Sequence, residues 1–192
     1  MYRTVTADAI DDLLAPETAT EAAVLRDARF REGLLWGKPR YGHPEGQIIN
    51  HILDIYANID QLSIDADTRR KLRLVALVHD TFKAFEHRGK PRDWSRHHSK
   101  LARAFLQQHC AEPDVLTVTE LHDEAYYCWR LFALYDRPGK GHERLRQLLD
   151  RIDGFRQLYY LFFKCDTRTG DKTQAPVLWF ERKVNGIEVV AF

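Results

Sequence analysis

The chain has 192 residues and a mass of 22.5 kDa, enough for one domain that buries about 70% of the surface its unfolded form exposes. Lys and Arg number 29 against 28 Asp and Glu, a net charge of +1 that disfavours a nucleic-acid partner and confines any basic site to a local patch. No run reaches the roughly 18 apolar residues of a membrane span, no signal-peptide pattern opens the chain, and Cys110, Cys128 and Cys165 lack zinc-knuckle spacing, so reduced thiols in a cytoplasmic protein are expected.

Residues 1–36 read as one or two amphipathic helices, the second launched by Pro16-Glu17-Thr18 and carrying Ala22, Val24, Leu25, Ala28 and Leu35. After the turn-rich Arg40-Tyr41-Gly42-His43-Pro44-Glu45-Gly46, Ile48, Ile52, Ile55 and Ile59 recur at helical spacing. His51, three after Ile48 and four before Ile55, shares their inward face. Cap-type residues at 63–67 predict a helix from about Thr68 to about Glu86, whose last turns hold His79, Asp80 and Lys83 beside Leu74, Val75, Leu77 and Val78.

The stretch Arg88 to Arg96 breaks the period and is the most basic in the chain, either a solvated loop or a phosphate-facing lid. A helix then begins near His97 and buries Leu101, Ala102 and Phe105, with His98 on the apolar face. Another starts at Pro113-Asp114 and runs through Val115, Val118, His122, Ala125 and Trp129. Pro138-Gly139-Lys140-Gly141 breaks the chain again. Leu145, Leu148, Leu149 and Ile152 follow, and Gly154 divides them from Phe155, Leu158, Tyr159, Phe162 and Asp166. Asn185-Gly186 between β-prone runs predicts a C-terminal β-hairpin over 175–192. The fold class is therefore all-α, a helical bundle with a small hairpin.

A single inward histidine is commonly a satisfied core residue. Here His51, His79, His98, His122, Asp80 and Asp166 all fall on core-facing positions of different helices, and burying such groups without partners is costly. Imidazoles with carboxylates suit a divalent transition metal, Mn, Fe, Zn, Co or Ni, and the lack of cysteine ligands argues against a structural zinc cage.

His79-Asp80, with His51 upstream and Asp166 downstream, resembles the H…HD…D pattern of the HD-domain superfamily of metal-dependent phosphohydrolases. His43-Pro44-Glu45-Gly46 before His51, and the form HDxxK with Lys83, are similar to the HD domains of tRNA nucleotidyltransferases. The resemblance spans about residues 43–170, leaves 1–42 as added N-terminal helices, and implies a single all-helical HD-type domain over 1–192. The chain is short and lacks a Gly-Ser segment followed by an Asp-x-Asp pair, so a stand-alone HD protein is expected.

The resemblance implies one metal ion on His51, His79, Asp80 and Asp166, and a second on His98 and His122 bridged through Asp80. This sequence carries His122-Asp123 where several two-metal members have His-His. The implied activity is hydrolysis of a nucleotide or another small phosphate ester, with Asp80 orienting a metal-activated water. Lys83 would face the phosphate, unless it instead pairs with Glu86. Arg88, Arg92 and Arg96 are further phosphate-binding candidates. The same ligand pattern is also compatible with a di-iron oxygenase, or with a module that binds a nucleotide without turnover.

Overall fold

The computed structural model describes residues 2–191; Met1 and Phe192, the outermost residues of the expected domain, lie outside them. The architecture is all-α. Its helices are α1 (Ile10–Leu14), α2 (Ala19–Leu25), α3 (Ala28–Leu34), α4 (Ile48–Ile59), α5 (Ala66–Val78), α6 (His98–Leu106), α7 (Pro113–Leu121), α8 (Glu124–Ala133), α9 (Pro138–Arg151), α10 (Arg156–Thr167) and α11 (Ala175–Lys183). Among the described residues the only β-type pairing is an isolated antiparallel bridge between Arg40 and His43.

α5 is the central rod. Leu72 through Val78 are all buried, the signature of a helix surrounded by others. α4, α7 and α10 pack around it, and α10 also meets α4 and α7. Asp65 accepts a hydrogen bond from the Thr68 backbone N–H, supplying the N-cap that the run at 63–67 predicts. α6 and α3 cover the turn after α5, α8 and α9 form a pair, and α11 leans on α8 and α10.

The N-terminal region is cut more finely than its periodicity suggests. Thr18 caps α2 and Asp27 caps α3, each accepting a backbone N–H three residues later, so Asp27 ends one helix and starts the next. A buried ion pair fastens this region to the rod: Arg73 Nε lies 3.3 Å from Glu21 Oε1, and its guanidinium stands 3.9 Å over the Tyr56 ring.

The expected C-terminal β-hairpin is not formed; residues 175–183 are helix α11. Pro176 occupies the first turn, where its missing N–H costs nothing. Val177, Trp179 and Phe180 then bury on one side, Trp179 against Phe132 and Phe180 against Tyr159 and Phe163. Tertiary burial outweighs the β propensity of these residues, and Gly186, at φ +78°, turns the chain after the helix has ended. Cys110, Cys128 and Cys165 are free and buried, and no helix among the described residues is long and apolar enough to cross a membrane.

Candidate metal centre

Two His-Asp pairs sit at matching places. The α-helical ladder of α5 stops at His79 rather than continuing to Glu86, and residues Thr81–Phe85 tighten into a 3-10 turn. The helix expected through His122 likewise breaks there: α7 ends at Leu121, and Asp123 precedes α8. A threonine hydroxyl bonds back to a helix carbonyl near each break. Thr81 Oγ donates to the Leu77 carbonyl at 2.9 Å and Thr119 Oγ to that of Val115 at 2.8 Å, hydroxyls competing for helix acceptors. His79 Nδ1 donates to Ala76 O, and His122 Nδ1 to Thr119 O, each at 2.9 Å, which turns both Nε2 atoms inward.

α10 holds the second break open. Tyr159 Oη accepts from the Ala125 N–H at 3.0 Å and donates to the Leu121 carbonyl at 2.9 Å, satisfying backbone groups on either side of His122-Asp123. Phe162, on the same face, packs edge-on against His79 with ring centres 5.1 Å apart. Asp166 extends that face toward His51.

Asp80 lies between two ligand sets. Its Oδ2 is 3.8 Å from His51 Nε2 and 3.5 Å from His79 Nε2, while His51 Nε2 is 3.0 Å from Asp166 Oδ1. Its Oδ1 is 3.4 Å from His98 Nε2 and 3.3 Å from His122 Nε2, and Asp123 Oδ2 lies 3.4 Å from His98 Nε2 and 3.5 Å from His122 Nε2. Atoms bound to one ion at about 2.1 Å stand about 3.0 to 3.4 Å apart in octahedral or tetrahedral arrangements. Most of these spacings are close to that size, with His51 Nε2 to Asp80 Oδ2 wider at 3.8 Å, and the buried groups His51–His79–Asp80 and Asp80–His98–His122 could each hold a metal ion.

Carboxylates face the outer nitrogens of the remaining histidines. Glu45 Oε1 lies 3.4 Å from His51 Nδ1, and Glu86 Oε2 lies 3.5 Å from His98 Nδ1. The hydrogen bonds from His79 and His122 to their carbonyls fix the tautomer of those two imidazoles, as second partners do for metal-binding histidines. His51 Nε2, His79 Nε2 and Asp80 Oδ1 are buried without a hydrogen-bond partner, as are His51 Nδ1, His98 Nδ1 and Glu45 Oε2 behind them; a cation between the first three would relieve their cost. The donor set could therefore hold a metal ion.

The electrostatics keep His79, Asp80 and Asp166 in binding form. Burial pushes His79 down to about 3, so it is neutral. Burial would raise the Asp80 carboxyl, but the Lys83 ammonium and His122 outweigh it and hold the group well below the usual range. Asp166 is held well below in the same way, by Lys172 and His51 against its burial. His122 moves oppositely: despite burial, Asp123 and Asp80 lift it to about 9.

Lys83 pairs with Asp80 at 2.5 Å, not with Glu86. Both line a pocket of about 450 Å3 that also presents His122, Asp123, Asp166 and Lys172. Arg88, Arg92 and Arg96 are exposed and stand outside this pocket. Arg92 pairs with Glu86 and covers Trp94, and Arg88 covers Trp36 at 5.0 Å from the ring centre. His97, which helical periodicity leaves off the apolar face that carries His98, is buried beside Glu86 as the cap of α6.

Sequence reasoning passed over Asp123, Glu86 and Lys172 as members of this cluster. Asp123 carried a signal, because His122-Asp123 repeats the His79-Asp80 doublet. Lys172 carried none, since it reaches Asp166 Oδ1 at 3.0 Å only through the turn that follows α10. Compared with known family models, curated proteins and solved structures, the chain matches none.

Proposed function

We propose that this protein is a metal-dependent phosphohydrolase of the HD type, acting on a nucleotide or another small phosphate ester with water as the nucleophile. One observation carries the reading. The Nε2 atoms of His51, His79, His98 and His122 all aim at the two oxygens of Asp80, while each Nδ1 is backed by a carbonyl or a carboxylate. The ordered set His51, His79-Asp80, Asp166 is also the pattern that resembles the HD superfamily.

His51, His79, Asp80 and Asp166 would hold one divalent transition metal, and His98, His122 and Asp123, sharing Asp80, a second. Such an ion supplies Lewis acidity, lowering the pKa of water from 15.7 toward about 7. Hydrolysis forms one P–O bond from water and breaks the ester P–O bond, releasing an alcohol. Lys83 and Lys172, both lining the pocket, supply positive charge for the phosphoryl oxygens. The pocket's volume of about 450 Å3 suits a ligand of nucleotide size.

The two-sided setting of Asp80 equally suits a di-iron centre for oxidation, which is the second reading. A screen of nucleotides and generic phosphate esters on metal-stripped protein, reconstituted separately with Mn, Fe, Co, Ni and Zn, tests the first. Release of phosphate or alcohol in at least one metal state is expected. Oxygen consumption by the iron form, with no ester cleaved in any state, would replace hydrolysis with oxidation. Tight nucleotide binding without product would replace it with a binding role.

A further inference from the structure

We propose that the cleft beside the metal centre, with a volume of about 1060 Å3, binds a chain of successive phosphates, so that the substrate is a polyphosphorylated nucleotide species rather than a simple monoester. The statement about substrate rests on the hydrolase reading; the preference of the cleft for oligoanions rests on its own geometry.

Trp36, Lys38 and Arg40 form one wall, and Glu86, Arg88, Lys90 and Arg92 the other. Among the described residues, the side chains of Lys38, Arg40 and Lys90 have no hydrogen bond or ion pair, and all three are exposed. The cations of α5 differ: Arg69, Arg70, Lys71 and Arg73 each pair with a carboxylate. The only carboxylate side chain lining the cleft is Glu86, already shared among Arg92, His97 and His98. Lys38, Arg40, Arg88 and Lys90 thus bring four exposed positive charges to one concave place, where the walls strengthen their field.

The cleft also borders the centre. Trp36 and Arg40, which line it, also line a small void of about 10 Å3 against His43, Glu45, His51, Asp80 and Lys83. Arg88 donates to the Lys83 carbonyl at 3.2 Å, which fixes the cationic wall to the residue proposed to face the reacting phosphate. One phosphate is served by Lys83 and Lys172 within the smaller pocket. Lys38, Arg40, Arg88 and Lys90 have charge left for phosphates that follow it.

The test is calorimetric titration of the full metal-loaded chain with adenosine monophosphate, methylene-bridged analogues of the di- and triphosphate, an adenosine trinucleotide and a glutamate peptide of matched charge. Affinity is expected to rise at least tenfold from one phosphate to three, with a salt dependence that steepens by roughly 0.7 in log–log slope per phosphate contacted. The double variant Lys38→Gln/Lys90→Gln should lower the ratio of triphosphate to monophosphate affinity at least tenfold, with an unchanged melting temperature showing that it folds. A tighter triphosphate analogue identifies nucleoside polyphosphates as the source, and a tighter trinucleotide identifies short single strands. Equal affinity for one and three phosphates, an unaltered ratio in the variant, or a glutamate peptide that binds as well would overturn the proposal. Graded binding with no ester cleaved would instead leave the cleft standing and remove the hydrolase.

Discussion

Gly33 of α3 lies directly against the turn after His79-Asp80: a methyl group there would stand 2.1 Å from the Thr81 carbonyl oxygen. A backbone atom cannot be pushed aside as a flexible side chain can. Gly33→Ala should therefore cost about 1 to 3 kcal/mol through overpacking, and it should displace Thr81 along with the donors just before it. Thermal melting and metal titration together check this. A variant with unchanged melting temperature and metal affinity would mean that α3 does not brace the site.

Asp80 faces both ligand sets, and its loss should be felt in both. Asp80→Ala is expected to abolish metal retention after dialysis and to reduce any turnover by far more than tenfold, or about 1.4 kcal/mol of barrier. Wild-type protein should also melt higher with metal, since a ligand at a hundred times its Kd adds about 2.7 kcal/mol to stability. That increment should vanish in the variant. Metal content and turnover both held within tenfold would be incompatible with the role assigned to Asp80.

Asp123 faces only the set formed by His98 and His122. Asp123→Ala should lower the affinity of that side while sparing the other, so elemental analysis should find about one ion per chain fewer than in wild type at limiting metal. Equal stoichiometry in the two proteins would confine the centre to one ion.

Lys83 separates binding of metal from binding of substrate. Its ammonium is charged, raised in pKa by Asp80 and Asp123 against the effect of burial, and a charged ammonium does not coordinate. Lys83→Ala should keep its metal and lose roughly ten- to a hundredfold in kcat/KM, the worth of a charged hydrogen bond of about 1.5 to 3 kcal/mol. Unchanged kcat/KM on the true substrate would leave Lys83 as nothing more than an ion-pair partner of Asp80.

Tyr159 tests the support behind the second His-Asp pair. Tyr159→Phe removes the hydroxyl shared by Ala125 N–H and Leu121 O and leaves both without it, at a cost of about 1 to 3 kcal/mol. Denaturant unfolding measures that cost. A midpoint equal to wild type would show that other groups satisfy the junction.

The helical class, the inward set His51, His79, His98 and His122, and the carboxylates Asp80 and Asp166 were legible from the amino-acid order alone. Each lies on the apolar stripe of a local periodic segment, and a 3.6-residue period reports facing direction without knowledge of the partner. Tertiary structure decided what that period does not encode. α5 and α7 end at the His-Asp doublets, with Tyr159 satisfying backbone groups at the second, although the apolar pattern runs on through them. Burial of Trp179 and Phe180 against α8 and α10 turns a β-prone tail into α11. Glu86, Asp123 and Lys172 join the centre because helix packing and one turn carry them there, and contacts between segments distant in sequence leave no periodic trace.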